Sequence, residues 1–179
     1  MSMSTEINIP GYAPGTWVID TADSEVSFQT RQFGVATARG TFDEFTGTIV
    51  TAANPLDSSV TAVVRTASVN TANDRRDKHL RSDDFLAVER FPTMTFVSTG
   101  VRADGDTFLV EGDLTIRTVT KRVTLTVVPN GFDSHGRVAG FTAYTEINRK
   151  DFGVTGGASG FVVGSRIRIA LEITAGRQD

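Results

Sequence analysis

The stretch Arg166–Thr174, RIRIALEIT, sets Ile167, Ile169, Leu171 and Ile173 on one side and Arg166, Arg168, Glu172 and Thr174 on the other. Alternation of this kind is the period of a half-buried β-strand, one face dry and one wet, and not that of a helix. The same period runs outward through the chain. Residues 17–28 carry Trp17, Ile19, Val26 and Phe28 around a turn at TADS, 41–50 carry Phe42, Phe45, Ile49 and Val50, and 59–66, SVTAVVRT, reads as a further strand. Met94 and Phe96 resume the pattern, and RADGD turns the chain at Asp104-Gly105, where both residues tolerate positive φ. Residues 107–117 then set Phe108, Val110, Leu114 and Ile116 against Glu111, Asp113, Thr115 and Arg117. Val123, Leu125 and Val127 repeat the pattern on 121–128, PNGFDSHG turns the chain, and 138–147 forms the strand before RIRIALEIT.

These segments make an all-β protein of about eight to ten strands, each with one dry face that only another strand can cover, in a sandwich or a closed barrel. An eight-stranded antiparallel barrel is the size whose interior either fills with side chains or holds one small ligand. Gly112, Gly140, Ala62 and Ala143 fall on alternate positions where a filled core would want bulk, which favours a cavity.

At 179 residues, 39% hydrophobic and 22% charged, the chain suits one domain, placed at 15–179 after an extension over 1–14. Its net charge is −3, with bases and acids interspersed along the chain, a pattern unlike that of a nucleic-acid or anionic-membrane binder. The absence of cysteine excludes disulfides, thiol nucleophiles and cysteine-ligated zinc. The N-terminal MSMSTEINIPGYAPGTW has neither the basic nor the apolar part of a secretory signal, and a cytoplasmic location is expected.

One segment breaks the strand pattern: RRDKHLRSDDFLAVERFP, Arg75–Pro92. Thr71 or Asn73 can cap a helix running to about Arg81, with Asp74–Lys78 and Asp77–Arg81 as i,i+4 pairs facing water. Ser82 then looks like the cap of a second short helix carrying Phe85, Leu86, Val88 and Phe91 and ended by Pro92, so that a helical insert occupies about 72–91. His79 and Asp77 stand about 200° apart on such a helix and do not converge on a metal. His135 sits in a turn, no G-x-S-x-G is present, and neither DFG (Asp151–Gly153) nor GGASG (Gly156–Gly160) has the context of a nucleotide site.

Twelve phenylalanines accompany one tryptophan and two tyrosines. Phe33, Phe85, Phe91, Phe152 and Phe161 fall near turns or the insert, where rings either line the mouth of a barrel or plug it.

Four blocks, GTWVIDTADSEVSFQTRQFGVATARGTFDEFTGTI (15–49), SVNTANDRRDKHLRSDDFLAVERFPTMTF (68–96), GDLTIRTVTKRVTL (112–125) and EINRKDFGV (146–154), stand in the order of the signature blocks of the YceI-like family. The chain resembles that family from about Gly15 to Ala175. The resemblance implies a lipocalin-like antiparallel up-and-down β-barrel with a helical insert, whose apolar tunnel binds a polyisoprenoid chain such as a prenylated quinone precursor or an isoprenoid phosphate. It implies no catalytic residues and no cofactor. Many members of the family carry a secretory signal, from which this N-terminus departs.

The expected function is binding of a long apolar lipid in a lumen lined by Trp17, Val26, Phe28, Phe42, Met94, Phe96, Leu114 and Phe141, with Phe85 and Phe91 at the covered mouth. Arg31, Arg65, Arg81 and Lys150 are rim charges, candidates for an anionic head group. Membrane contact would be unanchored. Two rival readings are an enzyme using His79 with a neighbouring acid, and a filled-core module that forms a homodimer through strand edges.

Overall fold

Residues 9–32, 35–156 and 164–178 are described by the structure, a computed structural model. They form β1 (Gly15–Ile19), β2 (Glu25–Gln32), β3 (Val35–Phe42), β4 (Phe45–Thr51), β5 (Ser59–Arg65), β6 (Val69–Asn70), α1 (Asp74–Arg81), β7 (Thr93–Asp104), β8 (Thr107–Ile116), β9 (Val119–Phe132), β10 (Val138–Asn148) and β11 (Arg166–Arg177). Phe33 and Phe161, and all of GGASG after Gly156, lie outside the described residues.

All the strand pairings are antiparallel, and three pairs of short strands share a place in the wall. Along one edge of β11, Arg31 to Glu25 of β2 pair with Arg166 to Glu172, and Ile19 to Trp17 of β1 continue with Ala175 to Arg177. β1 and β2 are thus one stave of the barrel interrupted by a 3-10 turn at Thr21–Asp23. β4 and β3 make the next stave, against β1 and β2 respectively. β5 and β6 make the third. With β7 to β11 this gives eight staves in chain order, the last hydrogen-bonded to the first: a closed up-and-down barrel.

Because the staves alternate in direction, residues 71–92 and 149–156 lie at one end of the barrel, called the insert end. The connection 52–58, the turn 133–137 and residues 9–14 lie at the other, the terminal end.

Three local readings are corrected. PNGFDSHG is not all turn: β9 runs through Pro129 to Phe132, and the turn is confined to 133–137. Proline is tolerated there because Pro129 pairs with Phe141 beside a register shift at Gly140/Phe141, where the ladder is already broken. The hairpin loop after β7 is Gly105-Asp106, since Asp104 still pairs with Thr107, and only Gly105 carries the positive φ, +59°.

The third correction is in the insert. α1 is capped as expected, Asn73 accepting from the Arg76 N–H at 3.0 Å. Residues 82–91, however, form successive turns and no second helix. The Ser82 hydroxyl turns back to donate to the His79 carbonyl, and Ala87 adopts a left-handed φ of +47° that ends any helical run. Nor does Asp77 face water. It is 5% exposed and accepts from both the Thr71 N–H and the Thr71 hydroxyl, while Arg81 donates to the Ala67 and Val69 carbonyls.

This buried carboxylate bolts the helix to the segment that leaves β6. Asp77→Ala, which strands the Thr71 N–H without its acceptor, should cost about 1–3 kcal/mol locally. Amide exchange over 71–91 should speed up with little change in the strands; uniform exchange in the two proteins would refute the bolt.

Candidate functional site

The barrel is hollow. A cavity of about 340 Å³ runs between the two ends, from Ile9, Tyr12, Pro55 and Phe132 to Leu80, Phe85, Leu86 and Val154. That volume lies within the usual range of small-molecule pockets, so the filled-core reading fails on geometry. Its wall follows from the period of two: alternate residues of each stave, such as Ile167, Ile169, Leu171 and Ile173 of β11, point inward.

Eight of the ten residues assigned to the site line this cavity: Val26, Phe28, Phe42, Phe85, Met94, Phe96, Leu114 and Phe141. The other two do not. Trp17 is 0% exposed and lies beyond the cavity in a compact floor with Ala139, Ile173 and Ala175. Its indole N–H donates to the Thr51 hydroxyl at 2.8 Å, which itself donates to the Ala13 carbonyl. Phe91 sits on the outer side of the insert, its ring flanked by the guanidinium groups of Arg90 and Arg117 at 5.3 and 5.5 Å.

The small residues act in different ways. Ala62 and Ala143 line the cavity directly. Gly112 makes room instead for a ring, since a Cβ there would lie 2.4 Å from the Phe96 side chain. Gly140 is away from the lining.

At the terminal end the rings of Tyr12, Trp17 and Phe141 meet Phe132 nearly edge-on, at 5.4, 5.2 and 5.9 Å between centroids. Ile9 and Tyr12, which precede the boundary drawn at residue 15, belong to this closure. At the insert end Phe85, 2% exposed, packs with Ile116, Phe152 and Val154. Arg117 Nη1 donates to the Phe85 carbonyl and the Gly156 N–H donates to the Asp84 carbonyl, both at 3.1 Å.

One charged side chain, Arg149, is among the described lining residues. It donates to the Val154 carbonyl at 2.7 Å and the Gly164 carbonyl at 3.2 Å, and its guanidinium lies 5.7 Å from the centre of the Phe85 ring. Burial holds its pKa below the ordinary arginine value, yet it stays charged at neutral pH. The four rim cations chosen from the sequence, Arg31, Arg65, Arg81 and Lys150, are not in the lining.

His79 does find an acid, though it is not Asp77. The turn at Ser82 brings Asp84 within 3.0 Å of its Nε2, and Phe85 meets the imidazole edge-on at 5.1 Å. Neither His79 nor Asp84 lines the cavity. Among the described residues no group of three metal-ligating side chains converges, and no helix is long and apolar enough to cross a membrane.

A closed antiparallel barrel of eight staves around a dry, end-to-end lumen defines a lipocalin-like binding barrel. The chain belongs to the YceI-like family, whose domain it matches over residues 17–175. It is 42% identical to Protein YceI of Escherichia coli O6:H1 over 133 residues, 72% of this chain and 70% of that protein. The fold is similar to that of BcnA from Burkholderia cenocepacia, with a TM-score of 0.76 at 23% identity over 87% of this chain and 98% of that one. It is also similar to a polyisoprenoid binding domain from Saccharophagus degradans, with a TM-score of 0.69 at 19% identity over 93% of this chain and the whole of the other.

Proposed function

We propose that this protein binds one long, linear apolar lipid of the isoprenoid type along the barrel lumen and carries or stores it without chemical change. The observation that supports this most directly is the lining: among the described residues one charged group, Arg149, and a scatter of serines and threonines stand in walls that are otherwise aliphatic and aromatic. Such a lumen recognises length and apolar character more than functional groups, and each buried methylene-sized unit contributes about 0.8 kcal/mol. The family and the polyisoprenoid binding domain of S. degradans point to the same ligand class. Val26, Phe28, Phe42, Met94, Phe96, Leu114 and Phe141 would contact the chain, with Phe85 across its end. Binding, and not catalysis, is favoured because the His79–Asp84 pair stands outside the lumen.

Protein purified from its native host should release an isoprenoid lipid on organic extraction and show the matching mass increment in native mass spectrometry. The emptied barrel should take up added polyprenol. The absence of both a co-purifying lipid and any uptake of polyprenol would sink the proposal.

A further inference from the structure

Charge that is dispersed along the sequence is gathered in space by the meander. Of the eighteen basic side chains, three, Arg102, Arg137 and Arg177, lie in the terminal half; the other fifteen lie on the insert or on the insert-side parts of the staves. Nine described acids, among them Asp20, Asp57, Asp104 and Asp133, lie in the terminal half. Ten lie on the insert side, even with Asp43 and Glu44, at the corner between β3 and β4, counted there. One end of the barrel is therefore positive although the protein as a whole is negative.

At the insert end three acids are engaged, while Asp74, Glu89 and Asp151 stand exposed. Asp77 is held by Thr71, Asp84 by His79 and Asp83 by Arg90. Arg75, Lys78 and Lys150 are exposed and have no side-chain hydrogen bond or ion pair among the described residues. With fifteen cations against ten described acids, the insert half makes a face complementary to a surface of negative charge.

The two ends also differ in how they are closed. The terminal end is sealed by rings packed edge to face and the fully buried Trp17. The insert is a separate element lying across the other end, outside the strand ladder, held by the packing of Phe85 on Ile116, Phe152 and Val154 and by hydrogen bonds such as Arg117 to the Phe85 carbonyl and Gly156 to the Asp84 carbonyl. An element outside the continuous ladder can open locally without breaking the wall.

We infer that the insert end docks on an anionic phospholipid bilayer and is the end through which cargo enters and leaves; the second half of this rests on the lipid-carrier reading. The insert half, where Arg75, Lys78 and Lys150 stand in water, is drawn to such a bilayer, and the acid-rich terminal half is turned from it. A chain poorly soluble in water then passes from bilayer to lumen without crossing solvent.

The test is flotation of the whole protein with vesicles of phosphatidylcholine alone and of phosphatidylcholine containing about one-third phosphatidylglycerol. Wild-type protein should float with the anionic vesicles only and be released by about 0.5 M salt. The triple variant R75E/K78E/K150E should bind them on the order of a hundredfold more weakly, with an unchanged melting temperature and unchanged lumen binding of N-phenyl-1-naphthylamine in solution. Equal binding to both kinds of vesicle, no binding to either, or a triple variant that docks normally would overturn docking. So would retention of the wild type on DNA but not on anionic vesicles. Failure to dock would leave the carrier reading intact if polyprenol still fills the lumen; docking without polyprenol uptake would overturn the cargo route and the carrier reading but not the docking face.

Discussion

Replacing Ala143 by tryptophan is expected to lower the affinity of the lumen for polyprenol by about two hundredfold, with an unfolding temperature the same as wild type or slightly higher. Ala143 is 5% exposed, lies between Val127 of β9 and Leu171 of β11, and lines the cavity. An indole at this point projects into the hollow of about 340 Å³ and takes space the lipid would use. Excluding about four methylene-sized units forfeits about 3 kcal/mol, which is the stated loss. A solid core would answer differently, since overpacking costs about 1–3 kcal/mol of stability. Titration and melting of one variant therefore separate a hollow barrel from a filled one: wild-type affinity, or a steep fall in melting temperature, would contradict the cavity.

The second large effect is on the closure of the ring. Trp17→Ala should cost about 3–5 kcal/mol, a sizeable part of the roughly 5–15 kcal/mol that holds a domain of this kind together. In melting temperature that is a fall of roughly 10–15 °C. Trp17 sits on β1 opposite Arg177 of β11 and Ile49 of β4, so it packs at the seam where the first stave meets the last. Deletion removes the ring that Phe132 and Ala175 pack around and the N–H that engages Thr51. A fall of less than about 3 °C in calorimetry would remove Trp17 from this role.

The strands and their inward faces were legible because a period of two is a local property: RIRIALEIT points the same way in the barrel as on the page. Features that depend on long-range placement were not. Trp17 shares the parity of the lumen residues, and only its position near the end of a stave makes it floor instead of wall. Pro129 and Phe132 looked like turn residues because their neighbours Asn130, Gly131 and Asp133 are turn formers; the strand survives through its partner β10. Arg149 was passed over for its neighbour Lys150, and nothing local tells the two apart: a 3-10 turn over Arg149–Phe152 puts the first against the lumen and leaves the second in water. The acids of α1 were read as surface pairs, yet neither pair forms: Lys78 stands in water, Asp77 is buried on Thr71 while Arg81 turns to backbone carbonyls, and Asp84 in the following turn bonds His79. Thr71 and Ser82 decide both, through backbone geometry that spacing alone does not reveal.

The seam between β1 and β11 has a consequence in time. Neighbouring staves are consecutive in the chain, so most of the wall can pair as it emerges from the ribosome, hairpin after hairpin. The ring cannot. Trp17 finds Arg177 across 160 residues, and the Gln178 N–H reaches the Thr16 carbonyl across a similar distance. Until β11 is released, β1 and β2 present one edge with no partner and the lumen faces water as an open, apolar trough. Closure is thus a late event that waits for the eleventh strand, and the open trough that precedes it is the state most exposed to aggregation.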